Sequence, residues 1–267
     1  MPKCIPKVII FDLDDTIGHF EEVAIFLNGL QIIIGKRQIP DKYIFKLLDL
    51  WPKFLRPGIM EIFEIIKTEK KKNSCIKAVI YTNNMGPRSW TLLIRRYIEK
   101  KLRYKLFDKV ITAYRPFEAT NKRTTHSKTY SDLLRSTNYG KDATFIFLDD
   151  QSHPFMRHPK IKYMHLYAYN YGIPFNKMIK SFLASKLGYI IPKSEKEKFK
   201  SYMYRYLTSG NEYTKYKIKR TRINKTDIRQ FQLIRKALFK FLHINKTRNN
   251  RRKKPRRNGS RQTRKDD

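Results

Sequence analysis

Val8-Ile9-Ile10-Phe11-Asp12-Leu13-Asp14-Asp15-Thr16 joins four apolar residues to a turn that carries three carboxylates in four positions. An apolar run this short, stopped by polar turn residues, predicts a strand buried on both faces rather than the stripe of a surface helix. The carboxylates then fall at the carboxyl end of that strand. Taken alone, such a turn also fits an acidic cap at a helix start. Its meaning depends on what the rest of the chain places beside it.

Four more apolar runs follow, at residues 76–81, 107–112, 144–148 and 163–167, with stretches of helical spacing at 60–66, 90–97 and 130–134. Alternation of this kind predicts an α/β fold, a parallel sheet with helices on both faces. In open sheets of this class, ligands bind beyond the carboxyl ends of the strands. Those ends hold Asp12 after the first run, Thr82 after the second, and Asp149 and Asp150 after the fourth. Lys128 opens the helix before the fourth run, with Lys122 and Arg123 as close rivals.

These residue types suit phosphoryl transfer. A carboxylate can attack phosphorus, and a second one two residues later can protonate the leaving oxygen and then activate water. The Thr82 hydroxyl and neighbouring backbone N–H groups can hold a phosphoryl oxygen where charge develops. Adjacent buried carboxylates such as Asp149 and Asp150 are costly unless a hard cation offsets them, and magnesium takes oxygen ligands of this kind.

The order of these residues resembles that of the haloacid-dehalogenase (HAD) superfamily phosphatases. Asp12-Leu13-Asp14-Asp15-Thr16 is similar to the family's first motif, Asp-x-Asp-x-Thr. Val79-Ile80-Tyr81-Thr82-Asn83-Asn84 looks like the second, Lys128 like the lysine of the third, and Phe145-Ile146-Phe147-Leu148-Asp149-Asp150 like the fourth. The resemblance covers roughly residues 6–190 and implies a HAD-like Rossmannoid three-layer sandwich. It implies Asp12 as nucleophile, Asp14 as general acid and base, Thr82 as a phosphoryl-oxygen holder and Lys128 as the neutralising cation. It also implies Mg2+ as cofactor, held by the Asp12 carboxylate, the Asp14 backbone carbonyl and Asp149, directly or through water, with Asp150 alongside.

Arg56-Pro57-Gly58 and Asp149-Asp150-Gln151-Ser152 narrow the resemblance to the FCP/SCP-type phosphatases that act on the RNA polymerase II C-terminal domain (CTD). Similar phosphatase-like proteins occur in large DNA viruses, and the richness in Lys, Ile, Asn and Tyr suits an AT-rich viral genome. Residues 18–51 and 113–125 do not match the polymerase-directed enzymes, so their peptide-recognition elements do not carry over. With no cap domain evident between the second and third motifs, an open site that admits a macromolecule is expected.

Lys and Arg number 59 against 23 acidic residues, a formal net charge of +36. Residues 246–267 hold +9 of this, so +27 belongs to the body of the chain. An imbalance of that size points to a polyanionic partner, nucleic acid first. Beyond Pro192, apolar spacing at Phe199, Met203 and Tyr206 predicts one helix, with Ser194 and Glu197 at capping-box spacing. Ile228, Phe231, Ile234, Leu238 and Phe241 predict a second over 226–243, with Gly210 and Asn211 in the connecting loop. The expected organisation is a phosphatase domain at 1–192, a basic helical extension at 193–244 and a disordered basic tail at 245–267. Within that tail, residues 251–257 fit a nuclear localisation signal, an anchor on nucleic acid or a solubilising segment.

Cys4 and Cys75 are too few for a disulfide framework and are expected as unpaired packing residues of a reducing compartment. No apolar run approaches the ~18 residues of a membrane span, and residues 3–11 lack the features of a signal peptide. An intracellular, soluble protein of nucleus or cytoplasm with no membrane partner is therefore expected. His126, His153 and His158 have no partner at metal-ligand spacing and read as surface residues or residues behind the site. Residues 163–171 and Trp90 read as core and rim packing. The leading expectation is a magnesium-dependent phosphatase acting on phospho-Ser or phospho-Thr in protein. Two other readings stand beside it: a polynucleotide end phosphatase or nucleotidase, and an idle HAD domain that binds nucleic acid or acts as a scaffold.

Overall fold

The computed structural model describes residues 4–35, 39–116, 118, 122–209 and 221–243. The expected loop at Gly210 and Asn211 and the expected basic tail lie outside the described residues. Each apolar run forms a strand: β1 (Lys7–Phe11), β2 (Ile76–Tyr81), β3 (Lys109–Ile111), β4 (Thr144–Asp149) and β5 (Ile161–His165). Eight α-helices accompany them among the described residues: α1 (Glu21–Ile33), α2 (Asp41–Leu50), α3 (Ile59–Lys72), α4 (Arg88–Leu102), α5 (Tyr130–Thr137), α6 (Phe175–Ala184), α7 (Lys196–Ser209) and α8 (Lys225–Leu242). The sheet is parallel throughout, in the order β3-β2-β1-β4-β5.

Strand alternation divides the core in two. Ile9, Phe11, Ala78, Ile80, Ile146 and Leu148 face the larger cluster, which also takes side chains from α1 to α4 and α6 to α8. Val8, Ile10, Val79, Tyr81, Phe145 and Phe147 face a smaller one closed by Leu133 of α5 and by Met156. Both faces are therefore dry, which is why the strands read as continuous apolar runs.

The segment between β1 and α3 folds into α1 and α2, and these pack against α7 and α6 respectively. Phe199, Met203 and Leu207 of α7 and Ile234, Leu238 and Leu242 of α8 enter the larger core cluster, so the basic C-terminal helices share the core of the sheet domain. A 3-10 turn over Lys193–Glu195 leads into α7. A capping box between Asn224 and Asp227 starts α8, satisfying orphan N–H groups at its first turn. Ile228, expected on the apolar side of α8, is exposed. Gly58 joins α8 to the start of α3. Its φ of 76° suits glycine, and a Cβ there would collide with the Phe231 ring.

The cysteines depart from expectation. Cys4 and Cys75 are joined in a disulfide with Cα atoms 5.7 Å apart. They precede neighbouring strands whose register pairs Lys7 with Ile76, so parallel pairing brings the two thiols together. Sequence spacing carries no trace of that adjacency, and the bond removes the cysteine argument for a reducing compartment. Among the described residues, no helix is long and apolar enough to cross a membrane.

Candidate active site

β1 lies between β2 and β4, so the sheet reverses its winding at the β1/β4 seam, where open α/β sheets place their ligands. The register sets Phe11 beside Leu148, and the Asp12 N–H donates to the Leu148 carbonyl at 2.9 Å. One residue further on, Asp12 and Asp149 stand side by side. Oxygens of Asp12, Asp149 and Asp150 all lie within 4.8 Å of one another. Carboxylates far apart in sequence thus converge because two parallel strands end level.

Lys128 enters this cluster from the α5 side. Its Nζ lies 2.5 Å from Asp12 Oδ1 and 2.6 Å from Asp149 Oδ2, with only 2% of the residue exposed. The next residue, Thr129, caps α5 by accepting from the Asp132 N–H, and the fully buried Asp132 carboxylate accepts from the Thr124 N–H and hydroxyl. The loop that delivers the lysine is thereby anchored at both ends. Arg123 takes a different position: it is buried, its guanidinium donating to the Thr82, Thr112 and His126 carbonyls and to Asn83 Oδ1. Of the three rival cations, Lys128 is the one against the carboxylates and Arg123 braces the end of β2.

Thr82 follows β2 directly and is buried, its hydroxyl oxygen accepting the Asn84 N–H at 3.0 Å. The Asn84 side chain reaches back and donates to Asp14 Oδ2 at 2.7 Å, which ties the second candidate motif to the first. Thr16 donates to Asp150 Oδ1 at 3.0 Å and accepts the Asp150 N–H at 3.1 Å. Behind the turn lies Arg56, 2% exposed. It donates to the carbonyls of Thr16 at 2.6 Å, Asp15 at 2.5 Å and Tyr167 at 2.8 Å. Asp15 itself has a φ of 53° and pairs with His19 at 2.5 Å. A left-handed non-glycine residue held by a buried guanidinium marks a turn fixed by its surroundings.

The electrostatics follow from burial. Burial pushes the Asp12 carboxyl up to about 8, Lys128 opposing and Asp149 and Asp14 reinforcing the rise. Asp14 is also raised, by burial against the Asn84 hydrogen bond, and Asp150 by burial against that of Thr16. Asp149 goes the other way: burial alone would raise it, but the His153 ring, whose Nε2 is 3.2 Å from Oδ2, and Lys128 hold it below the usual carboxylate range. Burial also lowers Arg56 to about 10, with Asp227, Asp150 and Asp15 opposing. Fully ionised, three carboxylates would outweigh one ammonium, an excess that protonation of Asp12 relieves and that a hard, oxygen-seeking cation would balance in its place, so the donor set fits a divalent ion of the magnesium class.

All the sequence-predicted carboxylates and Lys128 belong to this one region, and Thr82 joins it through Asn84. Among the bracing residues, Thr16 and Asn84 fall inside the quoted motif stretches without a role assigned to them there, Arg123 stands in the sequence only as a rival to Lys128, and His19 carries no signal. Of the three histidines, His153 approaches Asp149, while His126 meets the edge of Tyr114 and His158 stacks on Tyr130 with ring centres 3.8 Å apart. Tyr169 and Tyr171 are buried and stack on each other, whereas Tyr167 is exposed. Comparison of the chain with protein-family models, with curated proteins and with solved structures gave no match.

Proposed function

We propose that this chain is a HAD-type phosphoric monoester hydrolase that works through an aspartyl-phosphate on Asp12. The observation that carries the reading is the Lys128 ammonium held between Asp12 and Asp149 in a carboxylate cluster that one lysine does not neutralise. Asp12 and Asp149, with Asp150 alongside and the Asp14 carbonyl as the resemblance implies, would hold Mg2+. When bound, the ion supplies positive charge that keeps Asp12 ionised and offsets the phosphoryl oxygens.

In the first half-reaction an Asp12 oxygen attacks phosphorus, the bond from phosphorus to the ester oxygen breaks, and Asp14 gives its proton to the departing alkoxide. A raised Asp14 pKa suits a residue that must arrive protonated near neutral pH. In the second, Asp14 takes a proton from water as it attacks the same phosphorus, inorganic phosphate leaves and the Asp12 carboxylate is restored. Lys128 remains beside Asp12 Oδ1, which leaves Oδ2 to react. Thr82 and the backbone around Asn83 and Asn84 hold the transferring oxygens.

For substrate, the resemblance of Arg56-Pro57-Gly58 and Asp149-Asp150-Gln151-Ser152 to the CTD-directed enzymes supports phospho-Ser or phospho-Thr in an extended peptide. The +36 charge supports a second reading, a phosphorylated polynucleotide end. If nucleic acid is the partner, affinity falls steeply with salt, and removing residues 246–267 flattens that slope only in part. Purified protein assayed with Mg2+ on an aryl phosphate, a phosphopeptide and 3'- and 5'-phosphorylated oligonucleotides separates the readings. Failure on all three would leave the idle binding-module reading standing.

A further inference from the structure

The loop after β5 and the first turns of α8 enclose a cleft of ≈ 820 Å³, within the usual size of ligand pockets. Among its lining residues are Tyr167, Asn170, Arg229, Gln230 and Leu233. Gln230 is only 5% exposed, yet its carboxamide has no hydrogen bond among the described residues. An amide that reaches an open cleft can donate to and accept from a partner that enters there. The other polar groups of this helix start do not pair with it. The Asn224 carboxamide and the Asp227 carboxylate already serve each other's backbone in the capping box.

Tyr167 leaves 70% of its surface open at the same cleft, and Leu233 adds an exposed apolar side chain. The lining therefore combines a donor-and-acceptor amide, an open aromatic face and an arginine. A glutamine amide pairs with the donor and acceptor of a base edge, an open ring stacks a base, and arginine attracts the phosphates on either side. A peptide segment can use the amide, but it has no general need of the open ring.

We infer that this cleft binds a nucleobase of single-stranded nucleic acid, with Gln230 reading the base edge and Tyr167 stacking on its face. The cleft adjoins the candidate active site through one residue. Arg56 donates to the Tyr167 carbonyl and to those of Asp15 and Thr16, and Asp227 of the cleft lies close enough to influence its charge. Arg56 thus links the loop that carries Tyr167 to the Asp15–Thr16 turn of the candidate active site. The inference does not depend on hydrolysis, since binding is read without turnover.

The test is fluorescence anisotropy of the full chain, in EDTA and at fixed salt, with a labelled oligodeoxyadenylate and an abasic oligomer of the same length. The base-bearing strand is expected to bind about tenfold more tightly than the abasic one. Gln230→Leu and Tyr167→Ala are each expected to remove about that factor for the base-bearing strand and leave the abasic affinity unchanged. Tyr167 is a surface residue, so its truncation tests the idea without endangering the fold. Wild-type affinity in Tyr167→Ala, equal affinity for the two strands, or the same dependence on Gln230 and Tyr167 for an acidic phosphopeptide would overturn it.

Discussion

Replacing Lys128 with Met keeps most of the side chain's volume and removes an ammonium held 2.5 Å from Asp12 and 2.6 Å from Asp149. Breaking a buried ion pair from one side costs about 3–5 kcal/mol, because the charges left behind have neither water nor a partner. Protonation limits that cost and gives it a pH signature. In the metal-free protein the Asp12 carboxyl already stands at about 8 against 3.8 for the ordinary group. The native state therefore keeps a proton that the unfolded chain has released, and stability falls as pH rises through that interval. The variant shares that fall up to about pH 8, so its deficit comes first from Asp149, which Lys128 helps hold below the usual carboxylate range and which must ionise without that partner in the variant. The deficit of Lys128→Met should thus be small near pH 4 and reach about 3–5 kcal/mol at pH 8, a fall in Tm of roughly 6–20 °C for a chain of this size. Adding Asp149→Asn should return part of it, since the stranded charge is gone. Thermal unfolding in EDTA at the two pH values reads all of this. A fall below about 2 °C at pH 8, or a larger deficit at pH 4 than at pH 8, would refute the reasoning.

Three further outcomes follow from the same structure. Magnesium should raise the Tm of the wild-type chain in a concentration-dependent way and do so more at pH 8 than at pH 5, because it competes with protons for the carboxylates; Asp149→Asn should abolish the rise in a thermal-shift titration. Gly58→Ala should cost more than about 1 kcal/mol in urea unfolding, since φ is positive there and the new Cβ meets Phe231 of α8. Reducing the Cys4–Cys75 bond, which spans 71 residues, should lower stability by up to about 4 kcal/mol with little loss of catalysis, read by unfolding with and without reductant.

The strands were legible because double-sided burial leaves uninterrupted apolar runs, and β2 over Ile76–Tyr81 coincides with its run. β5 ends at His165, two residues before its run does, because the chain there turns and the Tyr167 carbonyl goes to Arg56 instead of the sheet. Asp12, Thr82 and Asp149 could be found from their common place after strands. That Asp12 and Asp149 are neighbours could not, because periodicity does not reveal which strands lie side by side. The same blindness hid the disulfide, which depends on β1 pairing with β2. Arg56 was visible only as part of a motif. Its bridge between the Asp15–Thr16 turn and the β5 loop joins residues 41 and 111 positions apart. The packing of α7 and α8 was half visible: their apolar spacing shows a face to bury but not which surface receives it.

The central claim is that Asp12 takes up the phosphoryl group, and acid quenching followed by peptide mass spectrometry tests it most directly. Wild-type protein mixed with Mg2+ and an excess of aryl phosphate should yield a phosphorylated peptide that contains Asp12, lost on treatment with hydroxylamine, while Asp12→Asn yields none and hydrolysis falls to background. Undiminished magnesium-dependent hydrolysis by Asp12→Asn, or a phosphoryl group trapped on any other residue, would contradict it.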